Sequence, residues 1–118
     1  MIRVIALPEF EKDLKRLNKK YQSLKNEYLS FIERSENEGP QGILIGLNTY
    51  KARIAVKSKG KGKSGGLRVI SYHVILTFEM DKIYLVAIYD KSEMSSIEMK
   101  RIVQILKKSN DDSSFKES

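Results

Sequence analysis

The chain has 118 residues, of which 41% are apolar and none is cysteine, and its formal net charge is +7. This length suits one domain with a single core, and the lack of cysteine excludes disulfides and thiolate-bound metals. No stretch approaches the roughly 20 apolar residues of a membrane span and the N-terminal apolar run is too short for a signal peptide, so we expect a cytoplasmic protein without membrane association.

The first third of the chain predicts a strand followed by two helices. Ile2 to Leu7 is a short run rich in β-branched residues, which is typical of a strand. Pro8 suits the first turn of a helix, and Ser23 is a candidate cap for a second helix that ends near Gly39. The apolar residues between recur every three or four positions, as on one helix face. They are Phe10, Leu14, Leu17, Tyr21, Leu24, Tyr28, Phe31 and Ile32.

From Tyr50 the apolar period changes to two, which is typical of a half-buried strand. Lys51 and Arg53 alternate with apolar residues and lie on the opposite, cationic face. A glycine-rich basic loop follows, because repeated glycines and lysines cannot pack a core. Two further β-rich runs, Leu67 to Phe78 and Ile83 to Tyr89, complete a predicted three-stranded antiparallel meander.

The C-terminal part predicts one more helix and a tail. Ser95 to Glu98 has the form of a capping box, and an apolar stripe follows it. The predicted fold class is α+β, with a curved antiparallel sheet made of the meander and the N-terminal strand. Two N-terminal helices lie on one face of it, and a C-terminal helix completes the domain. The domain spans residues 1–108, and residues 109–118 form a polar tail that we expect to be disordered.

The excess charge is confined to the segment from Gly39 to Phe78. This segment contains seven Lys and Arg residues and no Asp or Glu, while the remaining fifteen bases and fifteen acids cancel. Such a patch on a predicted sheet indicates binding to a polyanion, most plausibly nucleic acid. For the lysines of the loop, a simple solvated hairpin tip is the alternative interpretation. The seven bases are Lys51, Arg53, Lys57, Lys59, Lys61, Lys63 and Arg68.

Motifs of metal and nucleotide chemistry are absent from the sequence. There is no HExxH pattern and no cluster of ligating residues, and the single histidine, His73, is expected to be structural. The glycines of the basic loop lead into a strand instead of a helix, so they offer no phosphate-binding helix terminus. We therefore expect no bound metal and no cofactor.

Two stretches resemble the RelE/ParE superfamily of bacterial toxins, nearest its RelE/HigB branch. They are Gly65-Gly66-Leu67-Arg68-Val69-Ile70 and the run from Ile83 through Tyr89-Asp90-Lys91-Ser92-Glu93. In that branch a K-S-G-G-x-R-V-I stretch opens the central strand, and a Y-x-K-x-E ending closes the next. The resemblance covers residues 1 to 108, and the order of elements agrees throughout.

The resemblance implies a toxin of a type II toxin–antitoxin system that cleaves mRNA on the ribosome without a metal. In the family reaction the RNA 2′-hydroxyl attacks the adjacent phosphate, which leaves a 2′,3′-cyclic phosphate and a free 5′-hydroxyl. This chemistry needs a base, a stabiliser of the pentacovalent phosphate and an acid. The implied partners are mRNA, ribosomal RNA and a cognate antitoxin, expected to be a small helix-turn-helix DNA-binding protein.

Carried over position by position, the resemblance gives five catalytic candidates. Arg68 matches the arginine that holds the scissile phosphate, Lys51 is the candidate base, and Arg53 the candidate for charge stabilisation. Lys91 matches a further active-site position and would protonate the leaving oxygen or clamp phosphate. Tyr89 would stack a base or assist, with a core or rim aromatic as its alternative role. Four lysines are assigned to RNA phosphates: Lys57, Lys59, Lys61 and Lys63.

Two other functions remain open at this point. ParE-like members of the superfamily share the fold but poison DNA gyrase, and the convergent bases on the sheet favour the nuclease over this alternative. A non-catalytic RNA-binding module or degenerate toxin is the other possibility. The relatives' tyrosine in the C-terminal helix has no counterpart after Tyr89, which leaves the identities of base and acid open.

Overall fold

The computed structural model of the protein describes residues 1–59 and 66–110. A 3-10 turn, Lys57–Lys59, follows the third strand. In chain order the other elements are β1 Ile2–Ala6, α1 Pro8–Lys20, α2 Leu24–Glu38, β2 Ile43–Gly46, β3 Thr49–Ile54, β4 Leu67–Ile75, β5 Asp81–Asp90 and α3 Met99–Asn110.

The strands form one open sheet in the order β1-β5-β4-β3-β2. The predicted α+β class is confirmed, and so is the antiparallel meander of β3, β4 and β5. The N-terminal strand, the two N-terminal helices and the C-terminal helix are also present as predicted. Within the described ranges, no helix combines the length and apolar character needed to cross a membrane.

The sheet differs from the prediction in two details. β1 runs parallel to β5, with Ile2 opposite Asp81, so the sheet is mixed instead of wholly antiparallel. β2 is an additional edge strand, antiparallel to β3. It gave no signal in the sequence because its four residues do not alternate in polarity and are bordered by Gly42 and closed by Gly46.

The two N-terminal helices cover one face of the sheet, here called the α1/α2 face. Phe10 and Leu17 of α1 and Phe31 of α2 pack in one buried cluster with Val69 and Leu85 of the central strands. Removing this apolar surface from water is the main favourable term in the folding of a domain of this size.

The C-terminal helix covers part of the opposite face, here called the α3 face. Ile102 and Ile105 of α3 pack in a second buried cluster with Ile70 and Val86. Ile70 pairs with Ala87 but the next residue of β4 pairs with Leu85, so β5 carries one extra residue at this point. Such a bulge turns two successive side chains to the same face, which adds apolar surface beneath α3.

The ends of α3 also differ from the prediction. The helix begins at Met99, and the Glu98 carbonyl accepts its first hydrogen bonds, from the amides of Arg101 and Ile102. The predicted capping box at Ser95 is therefore wrong, because Ser95 lies before the helix and not at its first turn. The helix continues to Asn110, and the rest of the predicted tail lies outside the described residues.

A close backbone contact fixes the path of the chain into β2. Gly42 has a φ of +91°, and a Cβ at this position would lie 2.1 Å from the carbonyl oxygen of Lys51. Gly39 has a similar φ of +96°, but a Cβ there would meet no atom within 4 Å. Substitutions at the two glycines therefore allow the cost of backbone strain to be distinguished from the cost of steric overlap.

We expect Gly42→Ala to destabilise the protein clearly more than Gly39→Ala. Both substitutions place an alanine in the left-handed region, at about 1 to 2 kcal/mol, and Gly42→Ala adds overlap with β3, at about 1 to 3 kcal/mol. Urea unfolding of both variants beside the native chain measures the difference. Equal losses of unfolding free energy would contradict the close contact between Gly42 and β3.

Candidate active site

Three of the predicted catalytic residues form a straight row across the meander. Arg53 of β3 pairs with Arg68 of β4, and Arg68 pairs with Tyr89 of β5. Residues directly opposite in antiparallel strands have Cα atoms about 4.5 to 5.5 Å apart. Lys51, two residues before Arg53 on β3, pairs with Ile70. It therefore lies on the same α3 face as Arg53. The structure thus brings four of the five candidates together.

Exposure falls steeply along this row. Arg53, on β3, is exposed and Lys51 is half-buried, and neither forms a salt bridge within residues 1–59 and 66–110. Arg68 and Tyr89 are each only 3% exposed. The row therefore has an outer end that a large polyanion reaches directly and an inner end that lies within the protein.

Arg68 is held at the start of β4. Its Nη1 donates a hydrogen bond to the carbonyl oxygen of Leu67 at 3.4 Å. Arginine retains its charge in proteins, so this guanidinium places positive charge beneath the α3 face, between Arg53 and Tyr89.

Tyr89 is a core aromatic, packed in the buried cluster beneath α3. Burial raises the pKa of Tyr89, while the nearby Arg68 guanidinium and the Ile97 amide lower it to a smaller extent. Its buried hydroxyl has no hydrogen bond of ordinary geometry with the described residues. At neutral pH this group is a phenol that can donate a proton or a hydrogen bond. Because the side chain is buried, its ring does not offer a stacking surface to a base.

The next residue of β5, Asp90, anchors the site from the α1/α2 face. Its carboxylate is 0% exposed and accepts a hydrogen bond from the Tyr21 hydroxyl at the end of α1. The Ser92 amide and hydroxyl donate to Oδ1 at 2.9 and 2.8 Å, and the Lys59 ammonium lies 3.2 Å from the same oxygen. We call these four residues the Asp90 network.

The network keeps Asp90 ionised. Burial raises the pKa of Asp90, but the hydrogen bonds from Tyr21 and Ser92 and the charge of Lys59 more than offset this, and the pKa lies far below its usual value. Burial, followed by the contact with Asp90, raises the pKa of Tyr21. The phenol therefore remains a hydrogen-bond donor, and the carboxylate remains an acceptor, at neutral pH.

Lys59 is placed differently from the expectation that it contacts RNA. Its side chain is 11% exposed and is paired with Asp90, and its ammonium lies 5.9 Å from the centre of the Tyr21 ring. Electrostatic attraction to the buried Asp90 carboxylate directs the Lys59 side chain toward the core. This lysine ties the entrance of the basic loop to the core, and its ammonium is paired with a carboxylate in this structure.

The other predicted bases lie at or beyond the edge of the row. Lys57 is exposed, and its amide donates to Glu27 Oε2 at 2.7 Å. Lys91 is exposed in the turn after β5, directly beside Asp90. The predicted RNA contacts Lys61 and Lys63 lie outside the described residues.

The Asp90 network was missed by the sequence analysis, although Asp90 lies inside the motif that it singled out. One signal was available: strict alternation places Asp90 on the same face as the buried Ile88. A carboxylate at an apolar strand position implies a buried partner. The identity of the partners was not readable, because Tyr21 lies 69 residues away.

His73 lies on the α1/α2 face, away from Arg68. Its Nε2 is 2.8 Å from Asp81 Oδ2 at the start of β5. Among residues 1–59 and 66–110, no three His, Asp or Glu side chains gather in a way that would hold a metal ion. No family model matches the sequence.

We expect Asp90→Asn to lower the free energy of unfolding at pH 7 by about 3 kcal/mol, because the Lys59 ammonium loses its buried counter-charge. Since the folded pKa of Asp90 is lowered, its contribution is complete above the unfolded value near 3.8 and is lost as the pH falls through the folded value. The difference between native chain and variant should therefore shrink in acid.

Urea unfolding between pH 7 and pH 3 measures this difference. Asp13→Asn is the matched control, since Asp13 is a partly exposed carboxylate with a surface salt bridge to Arg16 at 3.8 Å, worth about 0 to 1 kcal/mol. A gap between native chain and Asp90→Asn that stays constant down to pH 3 would show that the ionised carboxylate is not the source of stability.

Proposed function

We propose that this chain is a toxin of the RelE/HigB-like branch of the RelE/ParE superfamily. It acts in the cytoplasm as a metal-independent endoribonuclease that cleaves mRNA on the ribosome and arrests translation. The observation that carries the proposal is the row of Arg53, Arg68 and Tyr89, with Lys51 beside it on the same face.

In the proposed reaction, the row binds the phosphate of the cleaved bond. Lys51, as the general base, takes the proton of the 2′-hydroxyl, and the 2′-oxygen forms a new bond to phosphorus. The bond from phosphorus to the 5′-oxygen then breaks, and this oxygen takes a proton from Lys91 or Tyr89. Arg53 and Arg68 stabilise the extra negative charge of the pentacovalent phosphate, which is the largest contribution such a site makes.

The difference in exposure along the row sets the order in which its residues contact RNA. Arg53 and Lys51 are accessible and meet the RNA first, whereas Arg68 and Tyr89 are each 3% exposed. Contact of the phosphate with Arg68 therefore requires the side chains that cover Arg68 to move. Enzymes of this kind complete their catalytic constellation when the substrate binds, and here the ribosome-bound mRNA would supply the binding energy.

The same exposed charges define the expected antitoxin. A small helix-turn-helix protein with an acidic or amphipathic segment would cover Arg53 and Lys91, because opposite charges favour association and fix its register. Occupation of the outer end of the row would deny RNA access to the inner end.

One observation favours a second candidate function. The burial of Arg68 and Tyr89 is also what a non-catalytic RNA-binding module or degenerate toxin would show, with these two side chains in purely structural roles. In that case Arg53 and Lys51 would bind RNA and no bond would be cleaved.

We expect Arg53→Ala and Arg68→Ala each to reduce mRNA cleavage by about 10²- to 10³-fold, as the loss of one stabilising group does. Primer extension on a translated message, after induction of each variant in a bacterial host, measures the cuts. Arg53 is exposed, so its variant should fold normally, and Arg68→Lys serves as the conservative partner at the buried position. Lys12→Ala, an exposed base on α1, should cleave like the native chain.

Induction of the native chain in the same host distinguishes between the candidate functions. Discrete cuts that need translation support the proposal. Growth arrest with intact mRNA and an SOS response would instead indicate the ParE-like action on gyrase, and absence of any phenotype would indicate the passive module. Cleavage that persists in both Arg53→Ala and Arg68→Ala would show that the row is not the active site.

A further inference from the structure

A groove of about 1070 Å³ lies between α2 and the outer edge of β3. β2 pairs with β3 only as far as Ile43 opposite Lys51. Beyond this pair the edge of β3, from Ala52 to Ile54, pairs with no strand of residues 1–59 and 66–110 on this side, and it borders the groove. Asn26, Ser30 and Arg34 line the opposite wall, on α2.

The groove carries excess positive charge. Four lining residues are bases, two of them at its border on β3, and none of the four forms a salt bridge with the part of the chain that the structure describes. Among the described residues that line the groove, Glu27 is the one carboxylate, and it accepts hydrogen bonds on both oxygens, from the Ser23 hydroxyl at 3.0 Å and the Lys57 amide at 2.7 Å. Even with the negative charge of Glu27 counted, the lining remains positively charged, which favours an anionic occupant. The four bases are Arg34, Lys51, Arg53 and Lys57.

The groove is continuous with the proposed active site around the edge of one strand. Lys51 and Arg53 border the groove through β3, and strand alternation directs their side chains to the α3 face, where the row lies. A flexible anionic chain bound at the row can therefore pass over the edge of β3 and enter the groove without leaving positively charged surface.

We propose that this groove binds the nucleotides of single-stranded RNA that flank the cleaved bond, an inference that rests on the proposed function. Arg34 contacts a phosphate, and the polar side chains of Asn26, Ser30 and Gln41 offer donors and acceptors to sugar hydroxyls and base edges, as single-stranded RNA requires. The guanidinium of Arg34 lies 5.9 Å from the centre of the Phe31 ring, which supports it at the groove wall.

An added peptide strand fits the groove less well. Strand addition draws its specificity from pockets for alternate side chains. Three apolar residues along this groove, Phe31, Ala52 and Ile54, are each at most 5% exposed, and the exposed Ile43 lies at one end, on β2. The edge of β3 itself therefore offers little apolar surface to a peptide, whereas the bases and polar side chains of the lining match RNA.

Arg34→Ala tests the proposal in the full chain. A fluorescein-labelled, unstructured RNA of about ten nucleotides is the probe, and its anisotropy gives the dissociation constant over a range of KCl concentrations. Loss of one phosphate contact should reduce the slope of log K against log salt by about 0.7. If Arg34→Ala and the native chain bind equally at 1 M salt, this change in slope makes the variant bind about fivefold more weakly at 0.1 M salt.

The controls lie on the same helix. Lys25→Ala removes an equal charge from an exposed position of α2 that does not line the groove, and it should bind like the native chain. Arg34→Lys keeps the charge and should recover most of the salt slope. Identical binding of RNA by Arg34→Ala, Lys25→Ala and the native chain would overturn the proposal.

The proposal and the function on which it rests can fail separately. If the native chain cleaves translated mRNA while Arg34→Ala leaves RNA affinity unchanged, the groove proposal fails and the nuclease stands. If RNA binding depends on Arg34 but nothing is cleaved, the groove proposal stands for a binding module. Binding of poly-glutamate, with the same dependence on Arg34 and no binding of RNA, would assign the groove to an acidic peptide instead.

Discussion

The buried carboxylate of Asp90 is the interaction on which the rest of this structure depends. It joins the end of α1 through Tyr21, the entrance of the basic loop through Lys59 and the turn after β5 through Ser92. An unpaired charge at such a position would be very costly, so these segments are constrained to meet. The network fixes the helical hairpin to the end of the sheet at which the basic residues lie.

This constraint acts on the candidate active site through the backbone of β5. Asp90 faces α1, the preceding Tyr89 faces α3, and the following Lys91 begins the exposed turn. Anchoring Asp90 on one face therefore positions Tyr89 on the other. Asp90 also pairs with Leu67, next to Arg68, so the same anchor fixes the start of β4. The residues proposed to act in catalysis therefore lie on the face of the sheet opposite the Asp90 carboxylate that positions them.

Elements with strong periodicity could be predicted from the sequence, and interactions across long separations could not. Alternation in β3 placed Lys51 and Arg53 together on the face opposite the helical pair, as observed. The register that sets Arg53 opposite Arg68 depends on how the chain turns between the strands, which alternation leaves open. The inward turn of Lys59 depends on a carboxylate 31 positions later in the chain, whereas local composition predicted a flexible basic loop whose lysines contact phosphates.

The row itself opposes folding. Like charges directly opposite each other on neighbouring strands are destabilising, and here two arginines occupy opposite positions of β3 and β4, one of them 3% exposed. Apolar side chains at these positions would pack better, so this pattern conflicts with local stability. Conflicts of this kind are expected at functional sites, where the rest of the fold offsets them. A phosphate between Arg53 and Arg68 would turn the repulsion into attraction, which makes the row more stable with its ligand than without it.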